Sequence, residues 1–199
     1  MTLSHAIEQL PNHSDIALNI LGAAIKTNIK QALKGEAFEK IEKEIHAAFV
    51  EAERSILSET LAQYDVNVPL VSLEGQDYRQ VIRCEQTYIS AVGPVRVERS
   101  LYRAKNGTLS ICPLELRAGI VESRWSPRAA KQALLAVSQL PPYEAAHLFR
   151  ELGGMQPSKS SLDRLPKKLS RQWEEKRETF EQSLRQQFEV PQGAITVAV

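Results

Sequence analysis

The apolar residues of this chain recur with two different periods, and the order of these periods limits the fold. Residues 15–63 are rich in helix-forming residues, and from Phe38 to Leu57 the apolar residues return every three or four positions, as on one face of an amphipathic helix. Between residues 66 and 113, β-branched and aromatic residues partly alternate with polar ones, which is typical of strands. Helical periodicity returns after Gly119. The pattern predicts a mainly α protein with a small central antiparallel β-sheet, an α+β fold, whose C-terminal half is helix-turn-helix-like. We divide the chain accordingly into residues 1–65, 66–113, 114–190 and 191–199.

The first region is predicted to be helical. Gly35 interrupts a segment rich in Ala, Leu, Ile, Glu and Lys, which indicates two helices joined by a short break. The second helix carries one apolar stripe, formed by Phe38, Ile41, Ile45, Ala48, Phe49, Ala52, Ile56 and Leu57. Such a stripe usually packs in a core, and alternatively pairs with a helix of another chain. Residues 1–65 are therefore a possible dimerisation region, and a homodimer is a possible assembly.

The central region is predicted to form three antiparallel strands. Gly93-Pro94 is typical of a turn, and would join a strand at about residues 79–91 to one at residues 95–103. A second turn at residues 105–108 would lead into a short strand at residues 109–112. One face of the returning strand is polar, so it either touches phosphates or is simply the solvated side of a sheet.

Helix boundaries in the third region are marked by capping residues and prolines. Ser126 is a good N-cap with Pro127 at the first helical position, so a helix is expected to begin there. Prolines at residues 141–142 end that helix. The last helix is expected to kink at Pro166, which has no amide hydrogen, and to continue to about residue 188.

Part of this third region has the order of a helix-turn-helix unit. A short helix at residues 143–152 is followed by a glycine-containing turn, and Ser158 then caps the next helix. In DNA-binding proteins of this kind the second helix lies in the major groove. Similar pieces also occur in proteins that never bind DNA, so the pattern alone leaves both alternatives open.

Charge is unevenly distributed, although the formal net charge is only +1. Residues 1–65 are acidic and the rest of the chain is basic, with Asp163 the only acid between residues 159 and 171. This basic run favours a polyanion, or alternatively is a solvated helix face. The predicted contacts to double-stranded DNA are Lys159, Ser160, Arg164, Lys167, Lys168 and Arg171, supported by Arg96, Arg99 and Arg128.

The sequence carries no pattern of a catalytic or metal site. Its aspartates (Asp15, Asp65, Asp77 and Asp163) are scattered, and no histidine is spaced with other ligands as in a zinc site. No glycine-rich phosphate loop follows a strand. Cys84 and Cys112 do not form a Cys-x-x-Cys pair and are expected to be reduced. We therefore expect no catalytic residue, no metal and no cofactor.

Targeting signals are also missing from the sequence. No apolar run approaches the roughly 18 residues that a membrane helix needs. The first residues lack the basic, apolar and small-residue order of a signal peptide. We therefore expect a cytoplasmic protein without a membrane partner.

The chain closes on a short apolar segment at residues 194–199, AITVAV. This composition is typical of a buried strand. It either adds an edge to the central sheet or is the first strand of a domain that the chain does not contain.

Several stretches, taken in order, resemble the N-terminal region of ISKra-type insertion-sequence DDE transposases over roughly residues 36–199. The stretches are residues 88–102 (YISAVGPVRVERSLY), 112–115 (CPLE), 126–128 (SPR), 142–146 (PYEAA) and 195–199 (ITVAV). Their order and spacing carry the resemblance, since no single stretch is diagnostic.

This resemblance implies a protein that recognises the ends of its own element and cuts DNA with a following RNase H-like domain. In such enzymes the first strand of that domain ends in a catalytic aspartate, which would be expected directly after Val199. We therefore expect a truncated chain that is not an enzyme alone, because carboxylates would be needed to hold Mg²⁺. Similar proteins often carry a Cys-x-x-Cys knuckle where this chain has residues 102–107 (YRAKNG), which argues against zinc.

Taken together, the sequence predicts the DNA-binding part of a truncated transposase, which recognises element ends and has dimerisation as a possible second role. One alternative is a helical oligomerisation or adaptor protein that uses the Phe38 to Leu57 stripe and the helix at residues 173–188. Another is a stand-alone helix-turn-helix repressor whose terminal strand pairs within its own sheet.

Overall fold

The computed structural model describes residues 14–187 except residues 106, 108 and 109. Its elements are α1 (Ser14–Leu33), α2 (Phe38–Ala62), β1 (Leu70–Leu73), β2 (Gln76–Ser90), β3 (Gly93–Ala104), β4 (Ser110–Ile111), α3 (Pro113–Ala118), α4 (Pro127–Gln139), α5 (Pro142–Glu151) and α6 (Lys159–Gln187). The predicted class, a mainly helical α+β fold with a small antiparallel sheet, is confirmed. The expected strand at residues 194–199 and the expected helix end at residue 188 lie outside the described residues.

Helices α1 and α2 form an antiparallel hairpin, and the predicted break between them is confirmed. Gly35 lies in the connection with φ of 74°, a left-handed conformation that glycine adopts without strain. Ala17 and Asn28 of α1 are buried, as are Ile41 and Ala52 of α2. The described helices include none that is both long and apolar enough to cross a membrane.

Among the described residues, the sheet contains four strands in the order β1-β2-β3-β4, each antiparallel to its neighbour. The expectation of three strands was wrong, because it omitted β1. Glu74 and Gly75 join β1 to β2, with φ of 51° and 78°. A two-residue turn with positive φ at both positions matches the twist of the flanking strands. The sequence pattern did not predict this turn, because glutamate is not typical of two-residue turns with positive φ.

The hairpin turn between β2 and β3 was placed two residues too late. The turn is formed by Ala91 and Val92, whereas Gly93 and Pro94 belong to β3. Ile89 lies opposite Pro94, but its N–H and C=O bond to residues of another segment, Arg124 and Ser126. Since Ile89 bonds away from β3, Pro94 needs no amide hydrogen there.

Helix α2 packs along β3 on one side of the sheet. Arg54 Nη2 donates to the Val92 carbonyl at 3.0 Å, and Ser58 Oγ donates to the Arg96 carbonyl at 2.6 Å. The core of this part contains Tyr88 and Leu114, both almost fully buried. Leu114 belongs to α3, a short helix that the sequence pattern did not predict.

Helices α4 and α5 and the first half of α6 form a three-helix unit with its own core. Ser126 Oγ accepts from the Ala129 N–H at 3.3 Å, so the predicted cap of α4 is confirmed. The core is made mainly of small residues and leucines: Ala129, Ala130, Ala133, Ala145, Ala146, Leu162 and Leu165, with Trp125 and Met155. Helix α6 continues through Pro166, as predicted.

The sheet and the three-helix unit are joined at Ile89. Its N–H donates to the Arg124 carbonyl at 2.7 Å, and its C=O accepts from the Ser126 N–H at 2.9 Å. A second contact lies at the turn before α6, where a Cβ on Gly154 would be 2.9 Å from the Ala91 carbonyl oxygen. Only glycine allows two backbones to approach this closely.

Candidate nucleic-acid interface

The orientation of α6 is set by its cap and its buried face. Ser158 Oγ accepts from the Ser161 N–H at 3.1 Å, which confirms Ser158 as the cap of this helix. Ser161, Leu162 and Leu165 are buried against the three-helix core. The opposite face of α6 therefore points to solvent.

Five of the six residues predicted on this helix share one face. At about 100° per residue, Ser160, Arg164, Lys167, Lys168 and Arg171 fall within an arc of roughly 100°. All five are exposed. Lys159 is exposed as well, but it projects about 80° beyond the edge of this arc. We call these five residues the basic face of α6.

One edge of the basic face borders a polar cleft between α6 and the sheet, with a volume of about 380 Å³. Arg164 and Lys168 line it from α6, and Arg99 lines it from β3. The rest of the polar lining consists of Gln86, Glu122, Ser123, Arg124 and Ser161. The fold thus brings three of the predicted residues together with an arginine that was not predicted.

Several of these cations are already paired within the chain. Lys167 Nζ lies 2.7 Å from Asp163 Oδ2, and Lys168 Nζ lies 2.5 Å from Glu122 Oε2. By contrast, no ion pair joins Arg124, Arg164 or Arg171 to any acid among the described residues. Arg164 Nε donates to its own helix, to the Ser160 carbonyl at 3.0 Å. These three arginines are therefore among the cations that form no ion pair with the described residues.

Arg99 is held mainly by protein groups. It forms an ion pair with Glu115, and its Nη2 donates to Gln86 Oε1 at 3.3 Å. Tyr88 Oη donates to the same Glu115 carboxylate at 3.0 Å. Burial raises the pKa of Tyr88 above its usual value, so this hydroxyl stays protonated as a donor. The predicted role of Arg99 as a phosphate contact therefore competes with its structural role.

The remaining two predicted residues lie elsewhere. Arg96 is on the opposite face of β3 from Arg99, in a depression beside α2. Arg128 is exposed in the first turn of α4, beside an apolar pocket lined by Leu57 and Leu61. The structure brings neither of them to the cleft, because position along the sequence does not determine which side of a strand or helix faces α6.

Arg124 was missed because the turn that carries it has no sequence signal. Glu122 and Ser123 adopt φ of 55° and 50°, which non-glycine residues rarely do. Glu122 bridges this turn to α6, since it pairs with Lys168 and also accepts from Gln172 Nε2 at 2.8 Å. A pair of non-glycine residues in the left-handed region is a recurrent feature of functional sites.

Within the described part of the chain, no group of three or more His, Cys, Asp or Glu residues is arranged to hold a metal ion. Comparison with known proteins adds no identity: no family model, no curated protein and no solved structure matches the chain.

Proposed function

We propose that the chain binds double-stranded DNA through the basic face of α6 and the adjoining cleft. The observation that carries this proposal is that Arg124 and Arg164, neither of which forms an ion pair among the described residues, line one cleft. Arg171, also without an ion pair there, lies on the same exposed face of α6 as Arg164. An α-helix with this exposure fits the width of the major groove. Cations along its flank would neutralise phosphates on the backbone.

Different residues on the exposed side of α6 would contact different parts of the DNA. Ser160 and Lys167 point directly away from the buried face, so they would approach the base edges at the floor of the groove. Arg164 lies toward the cleft, together with Arg124, and both would contact phosphates of one strand. Lys167 keeps its partner Asp163 nearby, which reduces its net attraction for phosphate.

We further propose that this DNA binding serves an insertion-sequence transposase, as the part that recognises the ends of the element. The support for this step is the order of the stretches that resemble ISKra-type transposases. On this proposal the chain positions DNA and supplies no chemistry by itself. A stand-alone repressor would use the same surface, so the bound sequences distinguish the two: element ends in one case and a promoter operator in the other.

Titration of duplex DNA at several salt concentrations tests the proposal. If about four phosphates are neutralised, the logarithm of the association constant should fall against the logarithm of salt concentration with a slope of roughly −4. Replacing Arg124, Arg164 and Arg171 together by alanine should reduce the magnitude of this slope by about three. Lys43→Ala is the matched control, because Lys43 is an exposed cation on α2. Absence of binding at about 50 mM salt would contradict DNA binding.

A further inference from the structure

Apart from Ile41, the α1–α2 hairpin buries small and polar residues, and it exposes many of its large apolar residues. Its buried positions include Ala17 and Ala52, and also Asn28, whose Oδ1 has no hydrogen-bond partner among the described residues. The exposed apolar residues include Leu18, Ile25 and Ile29 of α1 and Phe38, Ile45, Phe49 and Ile56 of α2. Leu33 is also exposed at the end of α1, and Ile16 is exposed on the other side of that helix. Of these, Phe38 is 75% exposed and Phe49 is 55% exposed. If no partner covered this hairpin, we would expect large apolar residues to be buried between its helices and polar residues to face the solvent.

Seven of these exposed residues form one continuous surface. Leu18, Ile25 and Ile29 recur at helical spacing and make one stripe on α1, and Phe38, Ile45, Phe49 and Ile56 make one on α2. In both helices the stripe lies clockwise of the buried positions when viewed from the N-terminus. Because the helices are antiparallel, both stripes fall on the same side of the hairpin. We call this surface the apolar hairpin face.

The two edges of the apolar hairpin face carry opposite charges. Lys26 and Lys30 border it on α1, and Glu42 and Glu53 border it on α2, by the same helical spacing. All four are exposed, and none forms an ion pair with another described residue. Neighbouring acids and bases on these helices, such as Glu39 and Lys43, are paired along their own helix. The unpaired edges are therefore available to a partner with the complementary arrangement.

We propose that the apolar hairpin face binds a second copy of this chain. A two-fold axis parallel to the helices would place α1 of each copy over α2 of the other, as in a four-helix bundle. The basic edge of each copy would then meet the acidic edge of its partner, so the surface is self-complementary. Helix α1 has 20 residues and is about 30 Å long, so two helices side by side offer roughly 600 Å². Standard interfaces bury about 800 Å² per partner, a comparable area.

The first test is the mass of the full chain in solution, measured by light scattering and sedimentation over a range of micromolar concentrations. The chain should be a dimer, and Phe49→Glu should raise the dimer dissociation constant at least about 30-fold. Leu135→Glu is the matched control, because Leu135 is 68% exposed on α4, away from the hairpin, and should leave the constant unchanged. A monomer at all these concentrations, or equal effects of the two substitutions, would overturn the proposal.

A charge-reversal experiment remains decisive if Phe49→Glu does not fold. Lys26→Glu/Lys30→Glu makes both edges acidic, and Glu42→Lys/Glu53→Lys makes both edges basic. Each variant alone should dimerise at least about tenfold more weakly than the unmodified chain, because like charges then face each other. An equimolar mixture should recover the dimer, since every contact again joins opposite charges. A mixture of folded variants that stays monomeric would overturn the arrangement. This test does not depend on DNA binding.

Discussion

Arg164 and Lys159 lie in the first two turns of α6 but project in different directions. We therefore expect them to contribute differently to DNA binding. Arg164 lies at the cleft beside Arg124, whereas Lys159 lies outside the basic face of α6. Arg164→Ala should weaken duplex binding about tenfold, since one phosphate contact is lost. Lys159→Ala should change it less than about twofold. Fluorescence anisotropy at fixed salt measures both, and equal losses would show that the helix binds without a preferred face.

At the scale of elements, the basic face of α6 depends on the core that holds the helix against α4 and α5. Leu162 is fully buried in that core, whereas Leu135, on α4 of the same unit, is 68% exposed. Leu162→Ala should lower the free energy of unfolding by about 3 kcal/mol, from lost burial and the cavity left behind. Leu135→Ala should lower it by less than about 0.5 kcal/mol. Urea denaturation followed by circular dichroism compares them. A similar cost for both would mean that α6 does not depend on this core.

At the scale of the whole molecule, the approach of the β2–β3 turn to the turn before α6 fixes the sheet relative to the three-helix unit. A Cβ on Gly154 would clash with the Ala91 carbonyl oxygen at 2.9 Å, so Gly154→Ala should cost about 1 to 3 kcal/mol of unfolding free energy. It should also speed amide exchange at Ile89 and Ser126, which hold the junction.

The neighbouring glycine provides the control for that substitution. Gly153 has φ of 73°, and a Cβ there would meet only the His46 side chain, at 3.5 Å. Asparagine tolerates this conformation, so Gly153→Asn should cost less than about 1 kcal/mol and leave exchange at Ile89 unchanged. If Gly153→Asn opened the junction as far as Gly154→Ala, the close approach at Gly154 would not be what holds the two parts together.

Local chemistry was sufficient to predict much of this protein. The caps Ser126 and Ser158, the break at Gly35 and the continuation of α6 all follow from propensities of residues that are neighbours in sequence. The two periods of the apolar pattern also predicted the α+β class, because a helix or strand must turn one face toward the core. The face shared by five of the six residues chosen on α6 also follows from helical spacing.

Only the tertiary structure decided which of those charges are available and what lies beside them. Lys168 is neutralised by Glu122 and Arg99 by Glu115, partners that belong to other elements. The register of the β2–β3 turn depends on bonds that Ile89 makes to residues far along the chain. Arg124 enters the cleft through a turn of non-glycine residues in left-handed conformations. Each of these features arises from contacts between segments distant in sequence, whose energies no local pattern encodes.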